Sequence, residues 1–328
     1  MKQYLDLIQD ILDHGVVRGD RTGVGTHSVF GRQLRFDLRA GFPAVTTKKL
    51  AWKSVVSELL WFLEGSTNEH RLAEIKNDNK PYDQLTEQER HTIWTANYEK
   101  QGVDLGYEDG ELGPIYGHQW RHWDDTYIGF SREVDENGEA IPTKEPDHID
   151  QLKNAIIDIS FNPTSRRIMV NAWNVAKIKS MALPPCHYGF QFYVSGEHLS
   201  LMWNQRSVDV MLGLPFNIAS YALLLSIVAK LTNKIPHELI GNLGDCHIYK
   251  NHIEGALEQV SRTPHELPTL LLPEIDYTSH RQGAIILKEL FGFPGTIGLD
   301  EFLKMVKTSD FILENYHPDP TIKMEMAV

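Results

Sequence analysis

Cysteine is scarce in this sequence: Cys186 and Cys246 are its only two among 328 residues. Neither belongs to a CxxC pair, and no cluster of histidine and cysteine has the spacing of metal ligands, so no metal site is expected. The N-terminal residues also lack the basic start, apolar core and small-residue cleavage site of a secretory signal. We therefore expect two reduced thiols in a cytoplasmic protein.

Long hydrophobic runs and an excess of positive charge are missing as well. The longest apolar stretch, 219–231, has 13 residues including a lysine, whereas a helix needs about 20 to cross a bilayer. The formal net charge of -12 disfavours binding along a nucleic-acid backbone through many phosphate contacts. Neither a membrane nor a nucleic acid is an expected partner, although a local group of arginines can still hold one small anion.

What is present is the composition of a globular enzyme, with 41% hydrophobic and 23% charged residues. Residues 51–64 have the clearest helical pattern, which Gly65 ends. The segments RRIMVNAW, HYGFQFYV and LSLMWNQRS read as strands. We find no internal repeats, and strands and helices alternate along the chain, which predicts one α+β domain over 1–328. Two polar segments, 66–113 and 125–150, are expected to be peripheral inserts.

A further strand is predicted after the turn-rich segment VVRGDRTGVGTHSVFG. Its apolar residues recur with period two, so Phe30, Leu34, Phe36 and Leu38 are expected to share one face. The GVG in the preceding loop is not a dinucleotide-binding fingerprint, because the third glycine of GxGxxG is missing and a helix precedes the loop. We interpret the segment as a loop that carries arginine into a strand.

Glu58 stands out on the helix over 51–64. Its neighbours at helical spacing are Val55, Trp61 and Phe62, so a carboxylate is expected to project among apolar groups. Desolvation there would raise the pKa of Glu58, as a general acid or base working near neutrality requires.

Cys186 follows two prolines in LPPCHYGFQF. Alone, a cysteine beside apolar strand residues is more often a small buried hydrophobe than a nucleophile. If residues 195–197 form the turn of a hairpin, however, Arg206 lies opposite Cys186 within one residue of register. A guanidinium beside a thiol favours the thiolate, the nucleophilic form. Cys246 has no such partner, and we expect it to be structural.

Several other polar residues have both a structural and a functional interpretation. Arg166 and Arg167 are either solvated or, with Arg21 and Arg206, part of a clamp on a phosphate. Asn217, in LPFNIASY, is either a helix N-cap or a carboxamide that reads the edge of a base. His247 and Tyr249 lie on one side of an extended segment, as core polar groups or as contacts to a sugar hydroxyl.

Taken together and in order, seven segments of the chain resemble the thymidylate synthases. The resemblance runs from the first helix to the last residue, and it is broken mainly by the two polar inserts. The segments are DRTGVGT, ELLWFLEG, GELGPIYGHQW, SRRIMVNAWN, LPPCHYGFQFYV, NQRSVDVMLGLPFNIASYALL and GDCHIYKNH. The resemblance implies a mixed twisted β-sheet flanked by helices, in a homodimer that associates through the sheet face.

The resemblance also implies a reaction. dUMP would be methylated to dTMP by 5,10-methylenetetrahydrofolate, which supplies both the carbon and the hydride and leaves as dihydrofolate. Cys186 matches the nucleophile that adds to C6 of uracil, and Glu58 matches the residue that organises proton transfers. Tyr116 and His187 match residues that flank the same pocket, and Asn217 matches the asparagine that binds O4 and N3 of uracil.

The binding residues follow from the same resemblance. For dUMP, Arg21, Arg206 and Ser207 match the phosphate site, His247 and Tyr249 the site for the 3′-hydroxyl, and Arg166 and Arg167 a pair donated by the partner subunit. For the folate, the matching residues are Ile93, Trp94, Leu212, Gly213, Phe216 and the C-terminal Val328. Asp209 is assigned to both sites.

Three positions depart from the family's pattern. Asn97 replaces a second tryptophan, Lys49 replaces a common arginine, and Pro184 replaces a frequent alanine. The first two concern folate binding, and Asn97 keeps open a second enzyme, a pyrimidine-nucleotide hydroxymethylase in which water replaces the hydride. A catalytically silent nucleotide- or RNA-binding protein is a third hypothesis, which the negative charge and the intact set of matched residues disfavour.

Overall fold

The computed structural model describes residues 1–20, 23–125, 130–134, 140–142, 147–274 and 298–325. Its helices are α1 (Lys2–His14), α2 (Trp52–Glu64), α3 (Glu69–Lys76), α4 (Glu87–Arg90), α5 (Thr95–Asn97), α6 (Tyr116–Arg121), α7 (Gln151–Phe161), α8 (Gly213–Leu231), α9 (Ile253–Ser261) and α10 (Leu299–Met305). Its strands are β1 (Val16–Arg18), β2 (Thr26–Asp37), β3 (Trp123–Asp125), β4 (Phe130–Val134), β5 (Ala140–Pro142), β6 (Asp147–Ile149), β7 (Met169–Asn171), β8 (His187–Ser195), β9 (His198–Asp209), β10 (Ile235–Tyr249), β11 (Thr269–Leu271) and β12 (Ile312–Glu314).

Six strands form one mixed sheet in the order β1-β2-β10-β9-β8-β7. β9 and β10 run parallel, and the other neighbouring pairs run antiparallel. The turn between β8 and β9 consists of Gly196 and Glu197, and Gly196 has a φ of +61°, which a side chain disfavours. The predicted α+β class, the mixed sheet and the hairpin are therefore confirmed.

The core lies between this sheet and helices α1, α2 and α8. α8 packs on β9 and β10, and its 19 residues are long and apolar enough to match a membrane span by composition. However, 78% of that apolar window is buried inside the protein, so α8 is the central core helix of the fold. It begins six residues before the apolar stretch that the sequence indicated.

Helix α2 forms where the sequence predicts it. Val55, Leu59 and Phe62 are buried on its apolar side, and Gly65 ends it in the left-handed conformation with a φ of +76°. Because α2 packs against α8, α3 and α6, it is covered on several sides. Glu58, the carboxylate between Val55 and Phe62, consequently lies in apolar surroundings.

The prediction for β2 is wrong at two of its four positions, Phe30 and Leu38. Leu34 and Phe36 are buried, but Phe30 is 80% exposed. Gly31, with a φ of +74°, lies between the two parts of the strand, and the burial alternation changes phase there. Leu38 falls beyond the strand, in a short 3₁₀ turn.

The same change of phase recurs on the two neighbouring strands. On β10 the buried positions shift between Leu243 and Cys246, and on β9 they shift between Gln205 and Val208. Regular alternation sends successive side chains to opposite faces. The irregularity instead lets consecutive residues, 205–207, face one cleft, and it therefore shapes the candidate site.

The sheet face away from the core helices carries exposed apolar side chains. Tyr193 is 68% exposed and alternates with buried Phe192, and Met169 is 54% exposed and alternates with buried Val170. Dimerisation through this face stays a prediction.

The division into one domain with two inserts also stays a prediction. Part of 66–113 packs inward, since Leu72 and Ile75 on α3 are buried. Side chains of 125–147 lie outside the described residues.

Candidate active site

A cleft of about 930 Å³ opens beside Cys186. Its walls come from α2, the start of α8, the β8–β9 hairpin and the end of β10. Fifteen of the residues singled out from the sequence line it: Glu58, Ile93, Trp94, Tyr116, Cys186, His187, Arg206, Ser207, Asp209, Leu212, Gly213, Phe216, Asn217, His247 and Tyr249.

The other four predicted site residues are Arg166, Arg167, Arg21 and Val328. Arg166 and Arg167 are exposed, just before β7, and they lie outside the cleft lining. Arg21 and Val328 fall outside the described residues. Roles for all four stay predictions.

Cys186 lies next to Arg206, as the hairpin register predicts. The backbone N–H of Arg206 donates to the carbonyl of Cys186 at 2.9 Å. The Arg206 guanidinium donates to the carbonyls of Pro185 at 2.9 Å and Pro184 at 3.0 Å, and it lies over the ring of Trp173. The two prolines thus present carbonyl oxygens that hold the guanidinium beside the thiol.

The thiol of Cys186 is subject to two opposed effects. Burial raises its pKa, whereas the positive charge of Arg206 and a hydrogen bond with Tyr116 lower it. Burial is the larger effect, so the pKa is raised overall. The expectation that Arg206 favours the thiolate is correct in direction, but this effect is outweighed because the apolar walls penalise a charge.

Glu58 has the perturbed pKa that the sequence predicts. Burial raises it from 4.5 to about 7, and a hydrogen bond from Trp94 opposes the shift. The indole N–H of Trp94 donates to the Glu58 carboxylate at 2.7 Å. A carboxyl with a pKa near neutrality can both accept and donate a proton under physiological conditions.

Aromatic rings build the wall around this carboxyl. Phe62 stacks on Tyr116 with ring centroids 4.9 Å apart, and Trp94 lies 5.5 Å from Trp61. Tyr116 in turn accepts a hydrogen bond from the backbone N–H of Cys186 at 2.7 Å. The cluster therefore connects the surroundings of Glu58 to the backbone of the cysteine.

His187 is a neutral imidazole at physiological pH. Burial lowers its pKa to about 3, and its Nδ1 lies 2.8 Å from the Tyr221 hydroxyl. Its ring also packs against Tyr116, 4.4 Å away. It can therefore exchange hydrogen bonds in the cleft without introducing a charge.

Asn217 is oriented by a residue that sequence reasoning missed. Gln205 donates from its amide to Oδ1 of Asn217 at 3.0 Å and to the carbonyl of Ser207 at 3.0 Å. The carbonyl oxygen of Gln205 accepts from the indole of Trp203 at 3.1 Å. The N-cap interpretation of Asn217 is wrong, because α8 begins at Gly213 and the asparagine lies inside the helix, facing the cleft.

Asp209 shapes the turn that leads into α8. Its Oδ1 accepts the backbone N–H groups of Met211 and Leu212, each at 3.0 Å. The buried ammonium of Lys48 binds the carbonyl of Met211, and burial lowers the pKa of Lys48 to about 8, opposed by the charge of Asp209. These contacts fix the turn that leads into α8.

The end of β10 closes the opposite wall. The rings of His247 and Tyr249 meet edge to face, 5.3 Å apart, which confirms that they share one side. Asp245 accepts hydrogen bonds from Arg18 at 2.8 Å and Ser28 at 2.6 Å. Arg18, Asp20 and Asp245 also line the cleft. Sequence reasoning singled out the loop that contains Arg18 and Asp20, and the β10 segment that contains Asp245, but none of these three residues.

The remaining expectations concern residues away from the cleft lining. Cys246 is fully buried, and burial raises its pKa to about 12, which agrees with an inert structural thiol; neither cysteine is in a disulfide. Asn97 donates to Gln101 at 3.3 Å, and neither Asn97 nor Lys49 contributes to the lining. Within the described residues, no group of three or more potential metal ligands is found.

Comparison with known proteins agrees with the sequence resemblance. The family model described as thymidylate synthase matches residues 2–328. The probable thymidylate synthase of Escherichia phage T5 is 45% identical over 329 residues. The thymidylate synthase of Enterobacteria phage T4 is 46% identical over 328 residues, and each match covers 100% of both chains. The crystal structure of the T4 phage enzyme superposes with a TM-score of 0.80 over 100% of both chains.

Proposed function

The chain belongs to the thymidylate synthase family of one-carbon methyltransferases, and we propose that it converts dUMP to dTMP through a covalent adduct of Cys186. In this proposal 5,10-methylenetetrahydrofolate supplies both the carbon and the hydride and leaves as dihydrofolate. One observation carries it: Cys186, Glu58 and Asn217 line one cleft with apolar walls. A nucleophile, a proton-transfer group and a group able to read a base are thus available to one bound pyrimidine.

Covalent catalysis is the proposed task of Cys186. Addition of its sulfur to C6 of uracil makes C5 nucleophilic, which replaces one difficult substitution by an addition and an elimination. The thiolate is the reactive form, and Arg206 is the cation that favours it. Since burial raises the pKa of the thiol in the free cleft, Arg206 is needed for attack as well as for binding.

Proton transfer is the proposed task of Glu58. C5 must lose its proton after it has formed the new carbon bond, and the uracil carbonyl gains and loses charge during the addition. Because the pKa of Glu58 is about 7, its carboxyl can accept and return a proton at little cost in free energy. His187 and Tyr116, both kept neutral by burial, line the same cleft and offer further hydrogen-bonding groups to the base.

Recognition of uracil is assigned to Asn217. Its Oδ1 already accepts from Gln205, which fixes the orientation of the carboxamide toward O4 and N3 of the base. An aspartate at this position would instead suit the amino group of cytosine. The nucleotide's 3′-hydroxyl is assigned to His247 and Tyr249.

The phosphate of dUMP is assigned to Arg21, Arg206 and Ser207, with Arg166 and Arg167 of a second subunit. A dianion is held best by several forked donors. Because Arg166 and Arg167 are exposed and outside the cleft of their own chain, donation to a partner accounts for both observations. The open sheet face would then be the interface of a symmetric homodimer.

The folate is assigned to the wall formed by Trp94, Ile93 and the start of α8. Leu212, Gly213 and Phe216 supply apolar surface there, Asp209 supplies a polar edge, and Val328 belongs to the C-terminal segment expected to close over both ligands. The two free thiols suit a reducing compartment, so we place the reaction in the cytoplasm.

The proposal is tested by incubating the purified protein with dUMP and methylenetetrahydrofolate. Dihydrofolate is followed by its ultraviolet absorbance, and the nucleotide is identified by mass spectrometry. Equal amounts of dihydrofolate and dTMP are expected, and the Cys186→Ala variant should release no tritium from C5 of labelled dUMP. Retained activity in that variant would refute the covalent mechanism. 5-Hydroxymethyl-dUMP without dihydrofolate would instead identify a hydroxymethylase, and no turnover would favour a silent binding protein.

A further inference from the structure

We propose that Glu69, which lies outside the cleft, is a positioning residue that holds the folate wall in place through two threonine hydroxyls. This inference rests on the proposed function, because it concerns how the wall carrying Ile93 and Trp94 is kept in register with Glu58. Glu69 is the first residue of α3, within the polar segment 66–113, and the sequence assigned no role to Glu69 itself.

The carboxylate of Glu69 binds both ends of the short turn formed by residues 92–95. Its Oε1 accepts hydrogen bonds from the hydroxyl of Thr92, at 2.9 Å, and from the hydroxyl of Thr95. Those two threonines immediately flank Ile93 and Trp94 in the chain. A single buried oxygen therefore fixes the segment on either side of the two residues that face the cleft.

The turn is closed by two further hydrogen bonds within it. The hydroxyl of Thr92 accepts the backbone N–H of Trp94 at 3.1 Å, and the hydroxyl of Thr95 accepts the backbone N–H of Thr92 at 2.9 Å. Each threonine hydroxyl thus donates its hydrogen to Glu69 and accepts a hydrogen bond from a backbone N–H. If Glu69 is removed, both hydroxyls lose the acceptor that orients them.

Glu69 is an unusual group to bury. Its residue is only 2% exposed, and within the described parts of the chain no lysine, arginine or histidine forms an ion pair with it. An unpaired buried carboxyl is costly unless hydrogen bonds satisfy it. The N-terminus of α3 favours negative charge here, but an apolar side chain would avoid the cost altogether, so packing alone does not account for Glu69.

The turn formed by residues 92–95 contacts Glu58 through the side chain of Trp94. The Trp94 indole donates to Glu58 at 2.7 Å, and its ring packs against Trp61 and Phe62. Ile93, 48% exposed, lines the cleft beside it. A shift of this turn would therefore change the surface offered to the folate and the hydrogen bond to Glu58 together, and misplacement by about 1 Å is enough to slow catalysis strongly.

Glu69→Ala removes the acceptor, and Glu69→Gln is the matched control, because its amide oxygen can still accept from both threonines. Glu74→Ala controls for damage to α3: Glu74 lies on the same helix and pairs with Arg71, away from the turn. We expect Glu69→Ala to raise KM for methylenetetrahydrofolate about tenfold, consistent with the loss of one or two hydrogen bonds, with KM for dUMP unchanged. Glu69→Gln and Glu74→Ala should resemble the parent protein.

A second readout does not depend on turnover. With ¹⁵N-labelled tryptophan, the indole signal of Trp94 is assigned among the seven tryptophans by its loss in Trp94→Phe. We expect this signal to move in Glu69→Ala and to stay in Glu69→Gln and Glu74→Ala. An unmoved signal, or equal rises in both KM values, would overturn the positioning role. If the parent protein makes no dTMP, the proposed function fails, and the indole signal still decides the role of Glu69.

Discussion

The hydrogen bond from Trp94 to Glu58 gives a pH dependence whose sign can be worked out. The N–H stabilises the charged carboxylate, and burial opposes that charge and raises the pKa to about 7. Replacing Trp94 with Phe keeps a ring in the aromatic wall but removes the donor. The carboxylate then loses stabilisation while the neutral form does not, so the pKa of Glu58 must rise further.

The size of the rise follows from the strength of such a bond. A hydrogen bond to a charged group contributes about 1.5–3 kcal/mol, and one pKa unit corresponds to about 1.4 kcal/mol. We therefore expect the pKa of Glu58 to increase by about 1–2 units in Trp94→Phe. The limb of the pH-rate profile that reports Glu58 should move to higher pH by that amount, whatever the loss in absolute rate from altered folate contacts.

The assay compares complete pH-rate profiles of dTMP formation for the parent, Trp94→Phe and Trp61→Phe. Trp61 is a matched control, because its indole also donates within the same cluster, but to the neutral carbonyl of Asn68 at 2.9 Å. Its substitution should lower stability without moving the limb. A limb that stays in place in Trp94→Phe, or moves equally in both variants, would refute the assignment of Glu58 as the group that titrates.

Two further predictions follow from the site. Glu58 ionises above its ordinary pKa of 4.5 in the unfolded chain but only above about 7 in the folded protein, so the free energy of unfolding falls as the pH rises between these values. In urea unfolding, Glu58→Gln should therefore be about 1–3 kcal/mol more stable than the parent at pH 8 and no more stable below pH 4. A stability difference that is the same at both pH values would contradict burial as the cause of the pKa shift. The Cys186→Ala and Arg166→Ala variants should each be inactive, and mixing them should restore about a quarter of parental activity, because half of the reassorted dimers then have one intact site of two. No recovery after verified subunit exchange would contradict donation of Arg166 across the interface.

Helix α2 and the β8–β9 hairpin could be predicted because their signals are local. The apolar spacing around Val55 and Leu59 and the terminating Gly65 define the helix, and the two-residue turn at Gly196 fixes the register that brings Arg206 to Cys186. Phe30 could not be placed, because the phase change at Gly31 depends on matching irregularities in β9 and β10. Those strands lie far away in sequence, and period-two reasoning assumes regular alternation within one strand.

In the candidate site, too, only residues with a local signal could be predicted. Glu58 could be predicted because a carboxylate interrupts an apolar pattern, and the matched residues could be predicted because their segments resemble those of a known family. Gln205 and Glu69 carried no such signal: one lies beside Arg206 in a strand, and the other lies in a polar insert where acidic residues are ordinary. The roles proposed for them depend on the hydrogen bonds to Asn217, Thr92 and Thr95, which only the structure shows.

Burial is the main cause of the shifted pKa values of three side chains in the cleft. It raises the pKa of Cys186, brings that of Glu58 to about 7 and lowers that of His187 to about 3, so all three shifts favour a neutral form. Neutral groups suit the proton transfers assigned to Glu58 and the hydrogen bonds assigned to His187. A neutral form does not suit the nucleophilic role proposed for Cys186, for which Arg206 supplies the opposing charge. The apolar walls thus favour the protonation states that suit the roles proposed for Glu58 and His187. The role proposed for Cys186 depends instead on Arg206, which the carbonyls of Pro184 and Pro185 hold in place.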